Sequence, residues 1–212
     1  MIFYLCGFLI AVFFPLFVSS WRVAFLGIAL QGLCIAMVSL SQGIEFDPDS
    51  ILRLVDLVCL RFMAVPVVFF GLLRKNRPGP EFDLIPANLV TWILAVGLLI
   101  LGLSLGHRLY PEDLALTFHT GAVACVLLIG LLVLSVQVET LGQMVGLLYI
   151  ESGITLFETL SPREPWFIQV PLSLLFLWLL GLMGRFAQKF TRIEPLKGDI
   201  KNEPNPLGRE VL

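Results

Sequence analysis

Among the ionisable residues inside long apolar stretches of this chain, five could take part in proton chemistry: Asp56, Arg61, His119, Glu151 and Glu158. A charge at the centre of a membrane costs about 2.5–3.5 kcal/mol by insertion scales, so such residues face protein or water and mark polar paths. Glu151 is the best placed. It lies mid-stretch between small residues, Gly146 on one side and Ser152-Gly153 on the other, which permit close helix contact. Burial favours the neutral form of a carboxyl and a nearby cation favours the charged form. A carboxyl held between those limits can load and release a proton. Two readings stay open for Glu151: a proton relay, or a buried acid or ion pair that holds helices together. Glu158 follows seven residues on, two turns down the same helix face and nearer the outer end, where the bracing reading is favoured. Arg61 keeps its proton, so it tunes a neighbouring acid or braces. Arg53 and Asp56, three apart, share a helical face and are expected to pair near the outer interface. His119 starts its stretch, where an interfacial imidazole and a proton shuttle are equally open.

The elements that must position these residues follow from composition. The mean hydropathy is +0.92, 58% of residues are hydrophobic and 14% charged, which is far from a soluble domain. A bilayer core needs roughly 20 mostly apolar residues per helix. Reading between polar breaks gives seven spans, at 2–18, 23–40, 51–73, 85–105, 115–136, 141–160 and 166–186. The expected fold is an all-α integral membrane protein, with a membrane domain over 1–186 and a polar tail over 187–212. The first span lacks a basic leader and a small-residue cleavage site, so it is expected to stay as a helix.

Basic residues set the expected orientation. With the N-terminus outside, the cytoplasmic segments carry Arg22, Arg74, Lys75, Arg77, Arg185, Lys189, Arg192, Lys197, Lys201 and Arg209, while the outside loops carry Arg108 and Arg163. That asymmetry predicts N-out, C-in. Cys6, Cys34, Cys59 and Cys125 sit singly in apolar stretches, without CxxC spacing, and are expected to be buried small hydrophobes. No nucleophile–base pair, metal cluster or phosphate loop is legible, so neither an enzyme nor a bound cofactor is expected. A stand-alone transporter is a further class, but matched pairs of Gly/Pro-broken helices are missing from the pattern.

An internal echo suggests duplication. Setting Leu40 against Leu160 aligns Gln31-Gly32 with Glu151-Ser152, and Val65-Pro66 and Val170-Pro171 recur in the third span of each half. Two three-helix units, 1–73 and 115–186, would then run in the same direction with 85–105 as a bridge. Chance similarity between apolar helices is the competing reading.

The segment QMVGLLYIESGITL over 143–156 resembles the Q-x-x-G-x-x-x-x-E-N-G segment of the hydrogenase-4 component E family. Ser20-Trp21-Arg22 leading to Leu30-Gln31-Gly32 is similar to that family's first hairpin. RFMAVP over 61–66, ending in Arg74-Lys75-Asn76, resembles its third helix, and LKGDIK over 196–201 its tail. The resemblance runs over nearly the whole chain. The family is related to the three-helix K-type subunit of respiratory complex I and to the C subunit of Mrp-type cation/proton antiporters, which implies two such units here. It further implies a non-catalytic membrane subunit of a complex I-like redox assembly, a group 4-type [NiFe] hydrogenase or a formate-linked complex, in a bacterial or archaeal cytoplasmic membrane. Implied partners are antiporter-like subunits, a quinone- or hydrogenase-proximal membrane subunit and, indirectly, a peripheral hydrogenase-like or formate-linked arm. No nucleic-acid partner is expected. By resemblance Glu151 takes the family's middle-helix carboxylate, and Arg61 falls where the family has a basic residue. Ser152 replaces the family's Asn, Glu139 lies where the family has a basic loop, and Asp56 has no counterpart.

Overall fold

The computed structural model describes residues 1–18, 20–41, 51, 54–76, 89–160, 171, 174–179, 181–182 and 184–185. It is all-helical. In chain order α1 is Ile2–Phe17 and α2 is Trp21–Ser41. In α3 a π-helical stretch, Asp56–Ala64, runs directly into an α-helical one, Val65–Asn76. Then follow α4 (Leu89–Leu109), α5 (Leu114–Val136), α6 (Thr140–Glu158) and α7, the helical residues between 171 and 185. The expected Arg53 pairing, the outer loop over 42–50 and the tail over 187–212 lie outside the described residues.

Local chemistry sets the ends of these helices. Asp113 caps α5, its carboxylate accepting from the backbone N–H of Ala115 at 2.8 Å and Leu116 at 3.1 Å. The Thr159 hydroxyl donates to Leu156 O at 2.6 Å and closes α6. Pro15 sits inside α1 and supplies no N–H to the carbonyl of Ala11. Side chains from two other helices reach that carbonyl and its neighbour, Val12 O. Gln31 Nε2 of α2 lies 3.5 Å from Ala11 O, and Tyr149 OH of α6 donates to Val12 O at 3.1 Å.

α1, α2, α3, α5 and α6 share one core, in which Leu5, Phe8, Ile35, Ile129, Met144, Leu148 and Tyr149 are fully buried. In a membrane the lipid is as apolar as the core, so close packing rather than the hydrophobic effect joins helices. Glycines provide it. A Cβ on Gly146 would come within 2.9 Å of Leu134 N and 3.0 Å of Gly130 O, so α5 and α6 meet backbone to backbone. On the other side of α5, a Cβ on Gly102 of α4 would lie 2.8 Å from Cys125 N. Beyond this seam α4 touches α1 through Phe17 and Trp92, whose rings stack at 4.7 Å.

Among the described residues many large apolar side chains face outward. α2, α4 and α5 are long and apolar enough to cross a membrane. Only 17% of the α4 window is buried, leaving Leu89, Val90, Ile93, Val96 and Ile100 bare. A water-soluble monomer does not carry such a face, and the chain is membrane-embedded. Two sequence expectations need correction on this point. Cys6 and Cys59 are exposed rather than buried, because lipid accepts a small apolar side chain as readily as a core does. α4 runs on to Leu109 rather than stopping at 105, since Arg108 in its last turn suits the helix dipole and reaches outward.

Candidate functional site

The π-helical stretch of α3 builds one half of the site. Along an α-helix, residues five apart lie about 140° apart around the axis, so Asp56 and Arg61 would point in different directions. The wider i→i+5 register brings such residues onto one face. Arg61 Nε accordingly lies 3.7 Å from Asp56 Oδ2. The backbone at Arg61 and Phe62 presses against α2, where a Cβ on Gly32 would stand 3.1 Å from Phe62 Cα. Any side chain larger than hydrogen there would have to push the π-helical turn away.

α6 supplies the other half. Glu151 projects from its middle, and Arg61 Nη1 donates to Glu151 Oε1. The Thr155 hydroxyl, one turn on, lies 2.9 Å from Glu151 O and 3.3 Å from its Oε1. A guanidinium with several donors in a fixed fork can hold two acids at once. Here it bridges Asp56 on its own helix and Glu151 on α6, with side-chain exposures of 9% for Arg61, 1% for Asp56 and 16% for Glu151.

Beside this cluster a cavity of about 230 Å³ opens between α6 and α7. Its surface is almost wholly apolar, with Ile154, Leu175, Phe176 and Leu179 among its lining residues, and Arg61, Glu151, Thr155 and Glu158 border it. Glu158 is half-buried and shares this cavity with Glu151. His119 stands apart, fully buried between α5 and α6. Its Nε2 is 2.9 Å from Leu156 O and 3.0 Å from Thr159 Oγ1, which assigns the proton to Nε2 because a carbonyl can only accept. No family model, curated protein or solved structure matches the chain.

Three of the five residues singled out in the sequence, Asp56, Arg61 and Glu151, thus form one cluster. Glu158 borders the same cavity, and His119, on α5, packs against another face of α6. Sequence reasoning missed Thr155, although its spacing of four from Glu151 was a signal for a shared face. It also missed Tyr149 as a tie to α1. Among the described residues no group of three or more His, Cys, Asp and Glu is arranged to hold a metal ion. The geometry suits an acid that alternates between a charged state held by Arg61 and a protonated state, with Asp56 keeping the guanidinium partnered in both.

Proposed function

We propose that the chain is a non-catalytic membrane subunit of a complex I-like, redox-driven assembly, of the group 4-type [NiFe] hydrogenase or formate-linked kind. It contributes part of a proton or cation path through Glu151. The observation that carries this reading is the ion pair between Arg61 of α3 and Glu151 of α6, with Asp56 as second partner, deep in an apolar molecule. Such intramembrane charges are a functional site by default, and the resemblance of 143–156 to a segment of such subunits that carries a glutamate supports the reading. The redox centres then belong to other subunits, and the lipid-facing and partner-facing surfaces divide the exposed apolar residues between them.

On this reading the chain has seven spans, with the N-terminus outside and the C-terminus cytoplasmic. Two three-helix units are joined by α4. Two packing features support that arrangement: α1 meets α5, and α2 meets α6, first helix to first and middle to middle. The peripheral position of α4, seated mainly on α5, suits a bridge.

A second reading rests on the same ion pair, which joins α3 to α6 and would brace a scaffold subunit without moving protons. Partners co-purifying after mild solubilisation test the proposal at its base. Antiporter-like and hydrogenase-like subunits are expected. A homogeneous oligomer of this chain alone would reject both readings in favour of a small transporter.

A further inference from the structure

We propose that the face of α4 turned away from α5 binds an anionic phospholipid, with its phosphate on Arg108 and an acyl chain in the groove that runs from there to Gly97. The proposal needs the chain to be membrane-embedded and does not depend on any proton role for Glu151.

The two faces of α4 differ in kind. Its buried residues are Ala95, Gly102 and Gly106. A Cβ on Gly102 would come within 2.8 Å of Cys125 N, and one on Gly106 within 2.7 Å of Gly121 N. The small-xxx-small spacing that lets membrane helices meet closely is thus used against α5. At about 100° per residue, Gly97, Ile100, Leu101, Ser104, Leu105 and Arg108 fall on the opposite side, within an arc of about 140°. All six are exposed and line a groove of about 380 Å³. A Cβ on Gly97 would meet nothing within 4 Å, so open space lies over the backbone there. One turn on stands Leu101 rather than a second small residue, and another helix could not approach this backbone as α5 approaches the other side.

The length and polarity of the groove identify its occupant. α4 has 21 residues and covers about 31 Å, close to the ~30 Å of a bilayer hydrocarbon core. Arg108 stands in its last turn, at the membrane–water boundary, and exposed Tyr110 just beyond the helix suits the same depth. Gly97 lies eleven residues before Arg108, about 17 Å deeper, which is roughly one leaflet. The groove therefore begins at headgroup depth and ends near mid-membrane, as an acyl chain does. Ile100, Leu101 and Leu105 give it apolar walls. The Ser104 hydroxyl is turned onto its own helix, donating to Ile100 O at 2.7 Å. At the headgroup end Arg108 is exposed, and no carboxylate among the described residues pairs with it. A guanidinium offers a planar fork of donors that matches phosphate, and a basic side chain at the membrane surface attracts anionic lipid.

The test places the full chain in phosphatidylcholine vesicles containing a minor share of phosphatidylglycerol, with one or the other lipid carrying a photoreactive diazirine in its acyl chain. Cross-links to residues 97–105 are read by mass spectrometry. Phosphatidylglycerol should label this face about fivefold more than phosphatidylcholine with the same chains, the effect of one basic side chain at an anionic surface. Arg108→Gln should bring the two lipids level, Arg108→Lys should keep most of the preference, and high salt should weaken it. Gly97→Leu, whose side chain enters open space, should lower labelling by both lipids while the unfolding midpoint in detergent stays unchanged. Equal labelling by the two lipids in the parent chain, a preference that persists in Arg108→Gln, or labelling that Gly97→Leu leaves intact would overturn the proposal. A benzophenone side chain placed at Leu101 should give lipid adducts in the assembled complex. Adducts to another subunit would overturn the proposal as well, by showing that protein covers this face.

Discussion

Replacing Arg61 with Met removes the cation that two buried acids share, and the consequence can be worked out from the geometry. The Asp56 and Glu151 side chains are 1% and 16% exposed, so neither regains full hydration when the guanidinium goes. Breaking a buried pair by deleting one partner costs about 3–5 kcal/mol, a large part of the ~5–15 kcal/mol that separates typical folded and unfolded states. Glu151→Gln is milder. The amide oxygen still accepts from Arg61, Asp56 remains at 3.7 Å, and the loss is that of one charge-assisted hydrogen bond, about 1.5–3 kcal/mol. In Arg61→Met/Glu151→Gln the neutral amide is no longer a stranded charge. The double variant should therefore lose less than the sum of the singles, by a coupling near the upper end of the ~0.5–3 kcal/mol found for residues in contact. Equilibrium unfolding in mixed micelles, run as a double-mutant cycle, measures this. Additivity to within about 0.5 kcal/mol, or an Arg61→Met variant as stable as the parent, would refute the shared-cation account.

Further outcomes follow from the packing. Gly146→Val puts side-chain atoms where α5 and α6 meet backbone to backbone and should cost at least the ~1–3 kcal/mol of overpacking, read as a lower unfolding midpoint in detergent. Tyr149→Phe removes the donor to Val12 O and should cost about 0.5–1.5 kcal/mol in the same assay; no change would mean that this hydrogen bond does not tie α6 to α1. Cysteine labelling in a background lacking Cys6, Cys34, Cys59 and Cys125 should find a residue placed after Lys197 reachable only from the cytoplasm, and labelling from outside would reverse the orientation.

Apolar length made the helices legible, because a bilayer asks for a certain span and little else. Among the described residues there are seven helices, of which α2, α4 and α5 are long and apolar enough to cross a membrane, and α5 (Leu114–Val136) begins one residue from the expected 115, since Asp113 is both a polar break and a cap. Glu151 was legible as well, as a lone acid in mid-helix. The pairing around it was less so. The contact of Asp56 with Arg61 was not expected, because the backbone of 56–64 widens to a π register that no single residue there announces, while the expected partner Arg53 lies outside the described residues. For His119, near the start of its span, an interfacial imidazole and a proton shuttle were equally open. It is buried because the end of α6 folds back beside it and offers Leu156 O and Thr159. Contacts between residues 37 and 40 apart are set by helix packing, which periodicity does not encode. The cavity likewise depends on where α7 lies against α6.

The central claim is that Glu151 carries protons rather than merely bracing α3 against α6. Glu151→Gln keeps the side chain's shape and its hydrogen bond to Arg61 but cannot exchange a proton. Protons pumped per redox turnover, measured in assembled Glu151→Gln complex in sealed vesicles, separate the two roles. The account predicts intact subunit composition with pumping per turnover lost. Unchanged pumping per turnover in the assembled variant would contradict it.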